Sequence, residues 1–213
     1  MPAFLRRYTD VLSLLDIVRH NRLTLMSPSR WYDQNDTFGL NQYSVRQGEG
    51  SIYALCLTEE KEQAHHWQLF AGHNHGLCIH FDRVEFLSFL DGVGDPILHG
   101  PVLYQNLTQV RAMKPINLQV LPFLKRDTFE AEAEYRVVAW QDAILAGDTY
   151  TISMPASMIK RVTLGPATPR VLAETLKDIA REHKGCADIP FSLSRLVNNE
   201  SWASAIAKGL STR

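Results

Sequence analysis

The sequence predicts an α+β fold: a single domain over residues 1–213, built on a mainly antiparallel, split mixed sheet with flanking helices. Three observations predict it. Strand-like and helix-like segments intermix without a regular strand–helix–strand rhythm. No strand candidate runs into a glycine-rich dinucleotide fingerprint. A chain of 213 residues that is 45% hydrophobic can also bury a core of its own without staples.

Taken in order, 10–23 (DVLSLLDIVRHNRL) places Val11, Leu14, Leu15 and Val18 at helical spacing behind Asp10, a residue type suited to an N-cap. LTLMS (23–27) reads as a short strand stopped by Pro28. Residues 28–50 are polar, rich in turn formers and aperiodic, so a long loop is expected there. SIYALCLT (51–58) is a strand, and 59–72 (EEKEQAHHWQLFAG) a helix with acids in its first turn, where the helix dipole favours them. Gly72 and Gly76 bracket its end, and LCIHFD (77–82) returns as a strand. RVEFLSFLDG is read as a short helix closed by Gly92, ILHGPVLYQ as one strand, and INLQVLPFLKRDTF as a helix interrupted at Pro122. TYTISM (149–154) and MIKRVTLG (158–165) follow, then a helix from Pro169 to Gly185. A strand around ADIPFSL and a C-terminal helix NESWASAIAKG complete the pattern.

A formal charge of −1 gives no global field toward nucleic acid or an anionic membrane, though a local basic groove stays open. Cys56, Cys78 and Cys186 are widely spaced with no CxxC pair, which argues against a disulfide framework or zinc knuckle and suits a reducing cytosol. The first ten residues lack an apolar signal core, and no run reaches membrane-spanning length. A soluble, cytoplasmic protein without a membrane partner is expected.

The segment 129–140, FEAEAEYRVVAW, poses the chemical question. If extended, Glu130, Glu132, Glu134 and Arg136 share one face, and such carboxylates raise one another's pKa while the arginine lowers it. If helical, they form a solvated acidic face, since Glu and Ala both favour helices. YRVV is β-prone and pulls toward the first reading. His65, His66, His73 and His75 lie within eleven residues, but no HExxH or acidic partner stands at ligand spacing and adjacent helical histidines diverge, so ordinary polar helix-end roles outweigh a metal. Cys56 and Cys78 sit among strand-like apolar residues, where an inert thiol outweighs a nucleophile. Aromatic residues do not interleave with Lys and Arg, which leaves a single-strand stacking platform unsupported.

Six stretches in order, LRRYTD, LTLMSPSRWYD, YALCLTEE, HHWQLFAGHNHGLCIHFD, FLKRDTFEAEAEYRVV and IKRVTLG, resemble a bacterial family defined as domain of unknown function 2971, associated with abortive infection and phage defence. The likeness spans most of 4–165. The same motif order is similar, more remotely, to that of DarT-type ADP-ribosyltransferases, which use NAD. That resemblance implies an ADP-ribosyltransferase-like fold and NAD as a substrate, with nucleic acid or protein as the target. It implies Arg7 and Tyr8 in the opening motif, Thr58 at a strand-end hydroxyl position, and Trp67 and Phe70 in the aromatic helix. Glu134, with Glu132, then acts on the ribose, and Arg136 contacts phosphate or orders the glutamates. The chain departs from the family pattern in its WYDQND loop, which keeps Asp33 and Asp36 but loses an Asn and a Pro. Phe70 and Phe129 stand where the pattern has a tyrosine and a tryptophan. Three readings stay open: an NAD-consuming enzyme, a non-catalytic module that binds a cognate partner or a nucleotide-like ligand, and a structural acidic face.

Overall fold

A computed structural model describes residues 3–48, 50–72, 75–141 and 147–210. Its strands are β1 Phe4–Thr9, β2 Arg22–Met26, β3 Ser51–Thr58, β4 Leu77–Asp82, β5 Ile97–Pro101, β6 Leu103–Gln105, β7 Leu124–Arg126, β8 Glu134–Gln141, β9 Thr149–Ser153, β10 Ile159–Leu164 and β11 Phe191–Leu193. The helices are α1 Val11–His20, α2 Gln34–Gln47, α3 Ala64–Phe70, α4 Arg83–Val93, α5 Leu107–Ala112, α6 Arg170–Arg181 and α7 Glu200–Leu210. The α+β class is thus observed, and among the described residues only β10–β11 and β6–β7 pair in parallel.

The main sheet runs β11-β10-β4-β1-β3-β2-β9, with β8 on β3 and β5 on β8. It opens at β3. β8 follows β3 through all eight residues, from Ser51–Gln141 to Thr58–Glu134. On the other edge β1 meets β3 only at Arg6–Thr58, and β2 meets it only at Met26–Ala54. Two half-sheets therefore join near Thr58, as the expected split sheet requires. Leu14, Ile17 and Val18 of α1, Phe86 and Leu90 of α4, and Ala173 and Leu176 of α6 pack with Leu5, Leu55, Leu57, Ile79, Val137 and Val162 of the strands in the main core. Leu40 and Tyr43 of α2 cover Ile52, Ala54 and Val138 in a second cluster.

The long loop expected over 28–50 is corrected to a 3₁₀ turn, Pro28–Arg30, and the fourteen-residue α2. Asp33 caps α2 by accepting the Asn35 N–H, and Gly48 ends it in the left-handed region at φ 79°. Its buried stripe, Asp36, Thr37, Leu40, Tyr43 and Ser44, mixes polar with apolar residues, so no hydrophobic period advertised a helix. The helix expected over 59–72 begins only at Ala64. Glu59 instead pairs with Arg83 at 2.9 Å and Glu62 accepts the Trp67 indole N–H at 2.8 Å. The helix expected around Pro122 is a 3₁₀ turn, Leu118–Phe123, then β7, then a second 3₁₀ turn, Asp127–Glu132. Gly92 lies inside α4, whose C-cap is Gly94. ILHGPVLYQ divides at Val102 into β5 and β6, and α5, capped by an Asn106–Gln109 box, was not foreseen.

Gly76 is a close backbone approach. A Cβ there would lie 2.3 Å from the Thr9 carbonyl oxygen and 2.8 Å from that of Ala71. Gly76→Ala is expected to lower unfolding stability by about 2–3 kcal/mol through this overpacking. An unchanged urea midpoint would contradict the contact.

Candidate functional site

Two stripes, each apolar along most of its length, end in charge at the same place. On α2 the stripe runs Tyr43, Leu40, Asp36; on β8 it runs Trp140, Val138, Arg136, Glu134, opposite Ile52, Ala54, Cys56 and Thr58 of β3. Packing the apolar ends fixes the charged ends together over the split. Arg136 is fully buried there. Its Nε donates to Glu134 Oε1 at 2.7 Å and Nη2 to Glu134 Oε2 at 3.0 Å. Nη1 and Nη2 donate to the two Asp36 oxygens at 2.7 Å each, and Nη1 also to the Pro122 carbonyl at 2.8 Å. All five guanidinium donors are therefore used. The Trp31 ring lies 5.4 Å from the guanidinium carbon.

Lys125 of β7 completes the floor. Its Nζ lies 2.5 Å from Glu132, 2.9 Å from Glu134 and 3.6 Å from Asp36. Three carboxylates face two cations, a net of −1 within this buried network. Burial alone would raise the Glu134 carboxyl, but Arg136 and Lys125 bring it down to about 2. Burial would lower Lys125, yet Glu134 and Glu132 hold it above its usual range. Glu132 goes the other way: burial raises it, and Lys125 only partly offsets this. The Cys56 thiol is raised well above its usual value by burial and by Glu134, so it stays protonated rather than nucleophilic.

Above this floor opens a cleft of about 400 Å³, lined by Tyr8, Trp31, Tyr32, Leu69, Phe70 and Phe129 among its apolar walls, and by Arg6, Asp33, Asp36, Cys56, Thr58, His66, Lys125, Glu132 and Glu134. The main chain holds the acidic edge rigidly. Thr58 Oγ1 donates to the Glu132 carbonyl at 2.8 Å, the Glu134 N–H donates to the Tyr104 hydroxyl at 2.8 Å, and Ala133 bends between the glutamates at φ 43°. The ring of His65 contacts the Ala131 carbonyl through Nε2 at 3.1 Å. His66 is fully buried on the cleft wall; neither ring nitrogen makes a well-formed hydrogen bond, and the nearby Glu132 main chain only partly favours its charged form. Burial, and next the neighbouring His65, pull its pKa down to about 4. Asp33 Oδ2, also on this wall, is likewise buried without a partner.

The cleft brings together Tyr8, Thr58, Phe70, Glu132 and Glu134 of the residues singled out in the sequence. Three others lie elsewhere. Arg7 is buried but does not line the cleft; strand alternation puts Arg6 on the face of Tyr8. Burial pulls the Arg7 guanidinium down to about 10, with Asp10, Cys56 and Asp16 partly offsetting this. Trp67 is fully buried behind Tyr8, edge-on at 5.0 Å between ring centroids, and backs the wall instead of forming it. Arg136 has no donor left for a phosphate and serves to order Glu134. Glu130 sits in the 3₁₀ turn, not on the strand face expected for it. His65 and His66 do not diverge, their rings lying 4.2 Å apart. His73 lies outside the described residues, among which no three His, Cys, Asp or Glu side chains are placed to share a metal ion. No described helix is long and apolar enough to cross a membrane. Arg6, Trp31 and Lys125 are cleft residues the sequence reading missed, and His66 was weighed there only as a metal ligand; Lys125 was hidden in an expected helix.

These shifts set an acid profile. His66 and His80 titrate near 4 in the folded chain against 6.5 ordinarily, burial being the chief cause for both. The unfolded chain therefore takes up these protons first, and their contribution is whole above about 6.5 and lost as pH falls toward 4. Glu134, near 2 against 4.5, holds its contribution above about 4.5 and loses it toward 2. Urea midpoints are expected to be flat from about pH 7 to 8, to fall in two acid stages below that, and to fall again in alkali, where Cys56, Cys78 and Tyr8, all raised by burial, ionise first in the unfolded chain. A midpoint constant from pH 7 to 4 would contradict the buried neutral histidines.

No family model, curated protein or solved structure matches this chain. The likeness to the two families rests on the motifs alone.

Proposed function

We propose that the cleft binds NAD and that the protein is an NAD-consuming enzyme, an ADP-ribosyltransferase or NAD glycohydrolase. The observation that carries this reading is the net-negative floor of Asp36, Glu132 and Glu134 over Lys125 and Arg136 at the base of an aromatic-walled cleft. In NAD the nicotinamide ring is a flat cation, which aromatic faces and a negative floor both favour. Breaking its bond to the ribose sends the bonding pair to the ring, which leaves neutral, and charge moves to the sugar carbon as an oxocarbenium. Fixed carboxylates stabilise that charge without reorganising. Glu132, raised by burial and the more exposed of the pair (13% against 3% of the side chain), takes the proton of the attacking water or target group.

One observation favours a second reading, a binding module without turnover. Both Glu134 oxygens are already engaged, Oε1 by Arg136 and Oε2 by Arg136 and Lys125. A ligand could then be held without chemistry, as in an antitoxin-like or defence accessory that answers to a cognate partner. Titrating NAD against Trp31 fluorescence, with Trp31→Phe as control, tests occupancy of the cleft. Saturable quenching lost in the control supports both readings, and nicotinamide release separates them.

A further inference from the structure

A second groove, of about 450 Å³, lies on the other side of Arg6 and Tyr8 from the cleft. It is written into the strand register. Arg6 of β1, His80 of β4 and Arg161 of β10 stand directly opposite one another across three strands. In the next row Tyr8, Cys78, Thr163 and Ser192 do the same across β1, β4, β10 and β11. Residues paired in this way share one face of the sheet. Arg195, just beyond β11, leans over the same groove.

Three guanidinium groups thus converge on one hollow of a chain whose overall formal charge is −1. None of Arg6, Arg161 and Arg195 forms an ion pair among the described residues. The groove's one carboxylate, Glu62, accepts from the Trp67 indole and the Ser194 hydroxyl, both neutral donors. The positive charge therefore stands in excess by about two, the charge of a phosphate monoester near neutral pH. Guanidinium forks match phosphate oxygens in pairs; Arg6 donates through Nη1 to the Glu59 and Glu60 carbonyls, at 3.3 and 2.8 Å, which leaves Nε and Nη2 for a ligand, and the Thr163 and Ser192 hydroxyls stand within the same row. His80, hydrogen-bonded to Thr163 at 3.0 Å, is kept neutral by burial and by the flanking arginines and orders the row.

We infer that this groove is a binding site for a phosphate monoester, separate from whatever fills the cleft and touching it through Arg6 and Tyr8. The inference does not depend on NAD chemistry. Calorimetric titration of the full chain with inorganic phosphate, adenosine 5′-monophosphate and adenosine tests it. Phosphate and the monophosphate are expected to bind below about 10 mM and adenosine not at all. Affinity for phosphate matching the monophosphate assigns the site to free phosphate; tighter monophosphate binding assigns it to a phosphorylated nucleoside. The exposed pair Arg161→Gln and Arg195→Gln should together weaken binding at least about tenfold, while Glu132→Gln in the cleft leaves it unchanged. Three results would overturn the inference: no binding of either phosphate, binding indifferent to the arginine changes, or adenosine binding as tightly as its monophosphate.

Discussion

Arg136→Met is expected to lower unfolding stability by about 3–5 kcal/mol, the largest single effect in the molecule. The methionine fills much of the same space but leaves the Asp36 and Glu134 side chains, at 4% and 5% exposure, with Lys125 as their one remaining cation. Arg136→Lys should recover little, because an ammonium cannot reproduce two bidentate pairs and a carbonyl contact at once. Adding Asp36→Leu to Arg136→Met should restore part of the loss by removing one stranded charge. Urea unfolding of the three variants reads this directly. If Arg136→Met unfolds with the wild-type midpoint, the ion network does not hold the cleft floor.

The second large effect concerns chemistry. Glu132→Gln should lower nicotinamide release at least a hundredfold, about 3 kcal/mol of transition-state stabilisation, with unfolding stability in urea changed by less than about 1 kcal/mol. Glu134→Gln should lose both, since its carboxylate pairs with Arg136 and Lys125 as well as facing the cleft. The split between the two variants is the informative result. Equal losses of stability would mean that Glu132 is only another strut.

Much of the frame was legible because strand signals are local. SIYALCLT, LCIHFD and YRVV carry β-branched and aromatic residues, and each became a strand with Glu134 at its start where YRVV begins. The floor of the site was less legible, for physical reasons. Asp36 belongs to a helix whose buried face alternates Leu40 and Tyr43 with Thr37 and Ser44, so its pattern looked like a loop. Lys125 was concealed by a helix reading that Pro122 defeats. Arg7 was chosen over Arg6, although Tyr8 on the cleft wall already implied, by strand alternation, that its neighbour two residues back would share that wall. Trp67 shows a further limit: a tryptophan at helical spacing reads the same whether it forms a wall or backs one.

The most direct measurement is the time course of nicotinamide release from NAD by the full chain, beside Glu132→Gln. Multiple turnovers by the wild-type protein, abolished in the variant while NAD still quenches Trp31, are the predicted result. Saturating NAD with no nicotinamide released, or release that survives loss of Glu132, would contradict the assignment of this cleft to NAD cleavage.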